Sequence, residues 1–138
     1  MSIRLIPART GAGRRTLALA WLLSLAGWAT AAPPSLNDGV FTATQAQQGA
    51  EAHMKYCANC HHQSYYEAGF LDAWYGTQGD LLYDAIRMKM PVDRPGALRP
   101  REYLALVAWI FALNGFPAGT EPLSTASLER LSITRRAP

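Results

Sequence analysis

One five-residue run narrows this chain more than any other feature: Cys57-Ala58-Asn59-Cys60-His61. It holds both cysteines of a 138-residue sequence. Two thiols three positions apart, with an imidazole directly after them, have to share one tight turn. What such a turn means depends on compartment, because thiols stay reduced inside most cells and are oxidised or derivatised outside. The N-terminus speaks to that. Residues 1–16 carry Arg4, Arg9, Arg14 and Arg15 and no acid, residues 17–29 carry no charge, and Ala29-Thr30-Ala31-Ala32 leads into Pro33-Pro34. A basic start, a short apolar stretch and small residues at its end predict a secretory signal peptide over 1–31, cut after Ala31 or Ala32. Left uncut it would be a membrane anchor, although the apolar run falls short of the roughly 20 residues that span a hydrocarbon core. The expectation is a periplasmic domain, membrane-attached only if the leader stays.

The formal charge of +3 hints at nucleic acid until the leader is set aside. Four of the 13 basic residues lie in it, and the remaining nine face ten acids, so the exported part carries −1. That excludes a general basic surface and removes the case for nucleic-acid binding. With 49% hydrophobic and 17% charged residues, the chain is neither collagen-like nor a coiled coil nor highly charged disorder. About a hundred exported residues make one domain, a little small for a self-sufficient core.

In that setting Cys57 and Cys60 have three readings. A structural disulfide is the usual use of two exported cysteines. A thioredoxin-like redox pair expects a βαβ setting, and nothing near residue 57 alternates like a strand. Covalent haem attachment has Cys-x-x-Cys-His as its sequence signal. Thiols on one tight turn can bond the two vinyl groups on one porphyrin edge, and the imidazole that follows reaches the iron. The export leader favours this third reading.

Residues 32–43, rich in Pro, Asn, Asp and Gly, read as an irregular lead-in. Thr44-x-x-Gln47 resembles a capping box and opens a helix to about Tyr56. Residues 62–76 hold Tyr65, Tyr66, Phe70, Trp74 and Tyr75 without clear period and read as a loop with one helical turn. Thr77-x-x-Asp80 opens a second helix, with Leu81, Ala85 and Met88 on its apolar face. Pro100 suits the first position of a third, which Asn114-Gly115 ends. Residues 117–138 read as a weakly structured tail with a short helix near Leu123–Leu131. No strand pair is predicted, so the fold class is all-α.

A haem iron needs a sixth ligand or an open site. Met54 precedes the attachment turn, and His62 adjoins His61 and cannot cross the ring plane. Met90 precedes Pro91, which pushes it into extended geometry and out of the helix. Met88 is the second choice, and core filling is the ordinary use of any methionine.

Gly49 eight residues before Cys57, the Cys57–His61 motif, Trp74-x-Gly76, Met90-Pro91, Pro95-Gly96-x-Leu98, and Tyr103 through Asn114-Gly115-Phe116-Pro117-Ala118-Gly119 resemble the class I monohaem c-type cytochromes. The latter half is most similar to the small cytochromes found beside quinoprotein (PQQ-dependent) dehydrogenases. The resemblance covers about residues 40–120. It implies a small all-helical fold around one haem c, over residues 44–120 with 121–138 as the tail. Cys57 and Cys60 would bind the haem covalently, and His61 and Met90 would be its axial ligands. It further implies a non-enzymatic one-electron carrier whose partners are redox proteins such as a PQQ-dependent dehydrogenase and a terminal oxidase. The alternative is a haem enzyme or gas sensor with an open sixth position. Tyr65, Phe70, Trp74 and Tyr83 would line the pocket, with the Trp74 indole as a donor to a propionate. Gly49 is expected where the first and last helices cross. The family usually has an aromatic four residues later, where this chain has His53, read as packing on Trp109. It also lacks the glycine after the proximal histidine and any proline between Cys60 and Met90; a backbone carbonyl within 62–75 is expected to accept the His61 imidazole proton. Finally, residues 87–101 carry a local +4 and residues 67–84 a local −4, a polarity that suits docking to an acidic partner.

Overall fold

The first long helix, α1 (Ala43–Tyr56), starts where Thr42 leaves extended geometry and its Oγ1 accepts the Gln45 N–H at 3.1 Å. The cap is thus Thr42 and not Thr44. Thr42-x-x-Gln45 repeats the Thr44-x-x-Gln47 pattern, and tertiary structure chooses between them. The Gln45 amide does not reach back to the cap. It donates to the Leu123 carbonyl at 2.8 Å and accepts from the Leu123 N–H at 2.7 Å, tying α1 to the end of the chain. This is a computed structural model, and it describes residues 34–67 and 69–138. The signal-peptide expectation for residues 1–31 falls outside them.

The buried face of α1 is Ala46, Gly49, Ala52 and His53, small residues at helical spacing. Their partner is α3 (Pro100–Leu113), which has proline at its first position as expected, ends at Asn114 and turns away through Gly115 at φ 80°. Residues Ala105 to Phe111 are buried without interruption. A helix buried nearly all round is the central element of a small core. Gly49 sits at the crossing. A Cβ there would fall on the Ala105 carbonyl oxygen and lie 2.6 Å from Trp109 Cβ, so only glycine lets the backbones meet.

α2 (Gly79–Lys89) follows the two 3₁₀ turns of the aromatic loop, Gln63–Tyr66 and Phe70–Trp74. Thr77 does not cap it. The Thr77 hydroxyl donates to the Trp74 carbonyl at 2.7 Å and closes the preceding turn, and Gln78 is the cap residue. The apolar face is also shifted from the expected one. Gly79, Leu82 and Tyr83 are buried, whereas Leu81 is 51% and Met88 69% exposed. Leucine, alanine and methionine at i, i+4 and i+7 gave the wrong stripe because residue 79, a glycine with no apolar signature, marks the true contact. A Cβ there would come within 2.7 Å of Leu128.

Leu128 belongs to α4 (Thr125–Leu128), inside the segment read as a weakly structured tail. The short helix expected near Leu123–Leu131 is present, while the weak structure expected of the rest is corrected. Leu123, Leu128, Leu131 and Ile133 are buried, and the Ile133 N–H and carbonyl pair with Thr77 and Gly76 at 2.9 Å. Burying a leucine or isoleucine side chain fully contributes about 1.5–3 kcal/mol, so this segment supplies core that residues 44–120 lack. The lead-in contributes Leu36 and Phe41 in the same way. Among the described residues there are only isolated bridges, Ser35 to Ser132 and Gln78 to Ser132, and no strand, so the class is all-α as expected. No described helix is long and apolar enough to cross a membrane.

Candidate functional site

Cys57 is the residue that ends α1. Its carbonyl accepts the N–H groups of both Cys60 (3.1 Å) and His61 (2.9 Å), so the motif closes into one turn as its spacing requires. Both thiols are free, Cys57 half-buried and Cys60 exposed. Burial, and secondarily the neighbouring Cys60, pushes the Cys57 thiol above its ordinary range. Reactive redox pairs need the opposite shift. His61 is half-buried, with its ring 4.8 Å from Tyr65, itself 57% exposed and 5.6 Å from Phe70. A partly open aromatic shelf therefore adjoins the imidazole. Among the described residues of 62–75, no carbonyl is hydrogen-bonded to that imidazole.

The His61 carbonyl is engaged instead. His53 Nε2 lies 2.9 Å from it, and because a carbonyl only accepts, Nε2 carries the proton. His53 is buried, stacks on Trp109 at 4.4 Å with 27° between planes, and receives Tyr66 edge-on at 5.4 Å. The packing role expected for His53 is met; the hydrogen bond was not anticipated. Asn114 Nδ2 donates to the Tyr66 carbonyl and to Ile110, both at 2.8 Å, fastening the aromatic loop to the end of α3.

Met90 ends α2 in extended geometry, φ −127° and ψ 149°, as a residue before proline should. Its carbonyl accepts the Tyr103 hydroxyl at 2.7 Å. Tyr103 is fully buried on α3 and also accepts from the Leu98 N–H at 3.4 Å. Sequence reading placed Tyr103 only in a similarity pattern; a tyrosine among apolar helix positions, needing a partner for its hydroxyl, was the signal. The Met90 and His61 segments are thus both fastened to α3, at Tyr103 and, through His53, at Trp109. Six residues along a helix are about 9 Å. Met88 is not core, as noted above. Trp74 is half-buried in the second 3₁₀ turn, and its carbonyl, not its indole, makes the hydrogen bond found there.

The two charged segments meet on α2. Asp84 and Arg87 line one cleft of about 480 Å³ on α2, together with Asp80 and Glu129. Arg99 is neutralised by Glu102 at 2.9 Å and Arg94 lies 3.6 Å from Asp93, while Arg87, Lys89 and Arg101 have no ion pair among the described residues. A second cleft of about 430 Å³, between α1 and the start of α3, is lined by Lys55, Tyr56, Arg101 and Glu102 and touches none of the candidate residues. No group of three or more His, Cys, Asp or Glu side chains converges among the described residues. Comparisons with protein-family models, with curated proteins and with solved structures found no match.

Proposed function

We propose that the exported chain is a one-electron carrier of the class I cytochrome c type, working in the periplasm. The observation that carries this reading is the Cys57–His61 turn: two free thiols and a half-open imidazole on one fixed turn, beside an aromatic shelf. These residues fit haem c. Cys57 and Cys60 would hold it by thioether bonds, and His61 and Met90 would be its axial ligands. Tyr65 and Phe70 would cover its apolar edge, with Trp74 in the next turn. When bound, the haem supplies an Fe(III)/Fe(II) couple, so no substrate bond is made or broken. The protein would contribute both ligands to the iron, His61 and Met90. A thioether ligand favours the reduced iron and raises the potential above that of bis-histidine haem.

Redox partners, a PQQ-dependent dehydrogenase and a terminal oxidase on this reading, would meet the segment around Met90. Met88 and Val92 are exposed there, with the cations Arg87, Lys89 and Arg94 alternating around them. A small apolar centre with a charged rim suits a transient interface.

The test is to express the full chain with its leader in a host that attaches haem c. A covalent-haem stain on a denaturing gel, followed by the ferric absorption spectrum, decides the matter. Stain with a low-spin spectrum and the weak far-red methionine–iron band supports the carrier. A high-spin spectrum moves the assignment to a haem enzyme or gas sensor. Absence of stain returns Cys57 and Cys60 to thiol chemistry.

A further inference from the structure

One residue holds the attachment turn from two sides. The His53 backbone carbonyl accepts the N–H groups of Cys57 (2.8 Å) and Ala58 (2.9 Å), where the turn begins. The His53 side chain donates to the carbonyl of His61, where it ends. A phenylalanine at this position would fill the same space against Trp109 but could donate nothing. The imidazole is also not free to swing. Trp109 stacks on one face and Tyr66 meets it edge-on, and both rest on α3, Trp109 as one of its residues and Tyr66 through Asn114.

We propose that His53 is a positioning residue for His61. By fixing the carbonyl of the peptide that follows His61, it sets the orientation of that backbone and hence where the imidazole points. The turn is then ordered by the core of the chain and does not rely on a bound group to order it. A buried donor aimed at a carbonyl is strong in such a setting, and losing it leaves the acceptor without a partner. Pre-ordering a ligand backbone acts on the metal through the ligand, as supporting hydrogen bonds do in metal sites generally. The proposal rests on the haem reading for its consequence at iron, but the clamp itself is a statement about the turn.

The experiment compares wild type, His53→Phe and His53→Gln, each exported and purified as the full mature chain. Phenylalanine keeps the stack on Trp109 and removes the donor. Glutamine gives up the aromatic ring but carries an N–H at about the same reach. Two readouts are taken: amide hydrogen exchange across residues 57–62, and, where haem is attached, the reduction potential with the far-red band. His53→Phe is expected to exchange roughly three- to tenfold faster in this turn than wild type, with the rest of α1 little changed. It should also shift the potential and weaken the band, and His53→Gln should restore both readouts toward wild type. Unchanged turn exchange and an unchanged potential in His53→Phe would reduce His53 to a packing residue. So would equal effects of both variants, since those would follow the lost stack or the altered volume and not the donor. If no form carries haem, the functional reading fails, yet hydrogen exchange still decides the clamp.

Discussion

Two segments leave helices beside α3, and they are built differently. The turn after α1 is embedded. His53, 3% exposed, stacks on Trp109, Gly49 brings the helix backbones together, and Asn114 fastens the neighbouring loop. The segment after α2 is open. Val92 is 76% exposed, Arg87 and Lys89 before it have no ion pair among the described residues, and the Tyr103 hydroxyl anchors the Met90 carbonyl. Stability is not uniform across a fold, and segments with few buried contacts open most easily. On the proposed reading, a carrier has reason to divide its site this way. The turn that would bind haem covalently needs a fixed geometry, while the segment around Met90 would have to present a surface to partners.

The contrast is broken most severely at Gly49. Gly49→Val would put three carbons where the Ala105 carbonyl and Trp109 already lie. Overpacking against a backbone should cost more than about 3 kcal/mol and prevent recovery of folded chain. Yield and far-UV circular dichroism of the exported variant check this. A folded variant of normal stability would mean the helices do not cross so closely.

The open segment is tied to α3 by hydrogen bonds through the Tyr103 hydroxyl, so Tyr103→Phe should be felt. It removes the shorter of the two hydrogen bonds to the Met90 carbonyl, leaving only the Gly96 N–H at 3.4 Å, and leaves the Leu98 N–H without its acceptor. A loss of about 1–3 kcal/mol in urea unfolding is expected. On the proposed reading the far-red band weakens too, while the exchange of amides 57–62 stays at wild-type rates. Loosening of both segments together would show that they are one unit after all.

Much of the embedded side was legible in the sequence, because its signals are local or steric. A motif of fixed spacing gives a turn, proline and Asn-Gly bound α3, and Gly49 and His53 fall on a buried stripe. What was not legible depended on distant residues. Gln45 chooses Thr42 as the cap by bonding to Leu123, 78 positions away. Residues 123–133 join the core by packing on α2, which a pattern search over a short tail cannot reveal. Met88 was placed in the core by its spacing from Leu81, yet both are exposed. Periodicity gives the orientation of a helix only when its apolar residues outnumber the surface ones, and α2 carries apolar residues on more than one face. The turn of the candidate site was legible as a motif, and its supporting hydrogen bonds were not.

Acid should act on the start of α3, where Glu102 lies in the first turn. Hydrogen bonds from Arg99 pull the Glu102 carboxyl from its ordinary 4.5 down to about 2. A folded value below the unfolded one gives stability that is fully present above about pH 4.5 and lost as pH falls towards 2. The thermal midpoint of wild type should therefore fall through that window, and Glu102→Gln should fall less steeply over the same window. Equal slopes would mean that the Arg99 contact contributes nothing in solution, as many exposed pairs do.

The smallest effect on stability is expected at Met88, and it sharpens the comparison best when read beside Met90. Met88 is 69% exposed, so truncation removes little buried area and should change unfolding free energy by no more than about 0.5 kcal/mol. Met90 is only two residues away but half-buried, its carbonyl held by Tyr103. On the proposed reading, Met90→Ala should remove the far-red band and lower the potential, leaving the covalent stain intact, because the thiols lie on the embedded side. Met88→Ala should leave stability, band and potential as they are. Its place is on the outer surface, so its effect should appear in the rate of reduction by an acidic redox partner, alongside a rate that falls with ionic strength in wild type. If Met88→Ala instead abolishes the band and Met90→Ala spares it, the ligand is Met88. The open segment would then have to turn inward when haem binds, and the division between a fixed side and a presenting side would no longer hold.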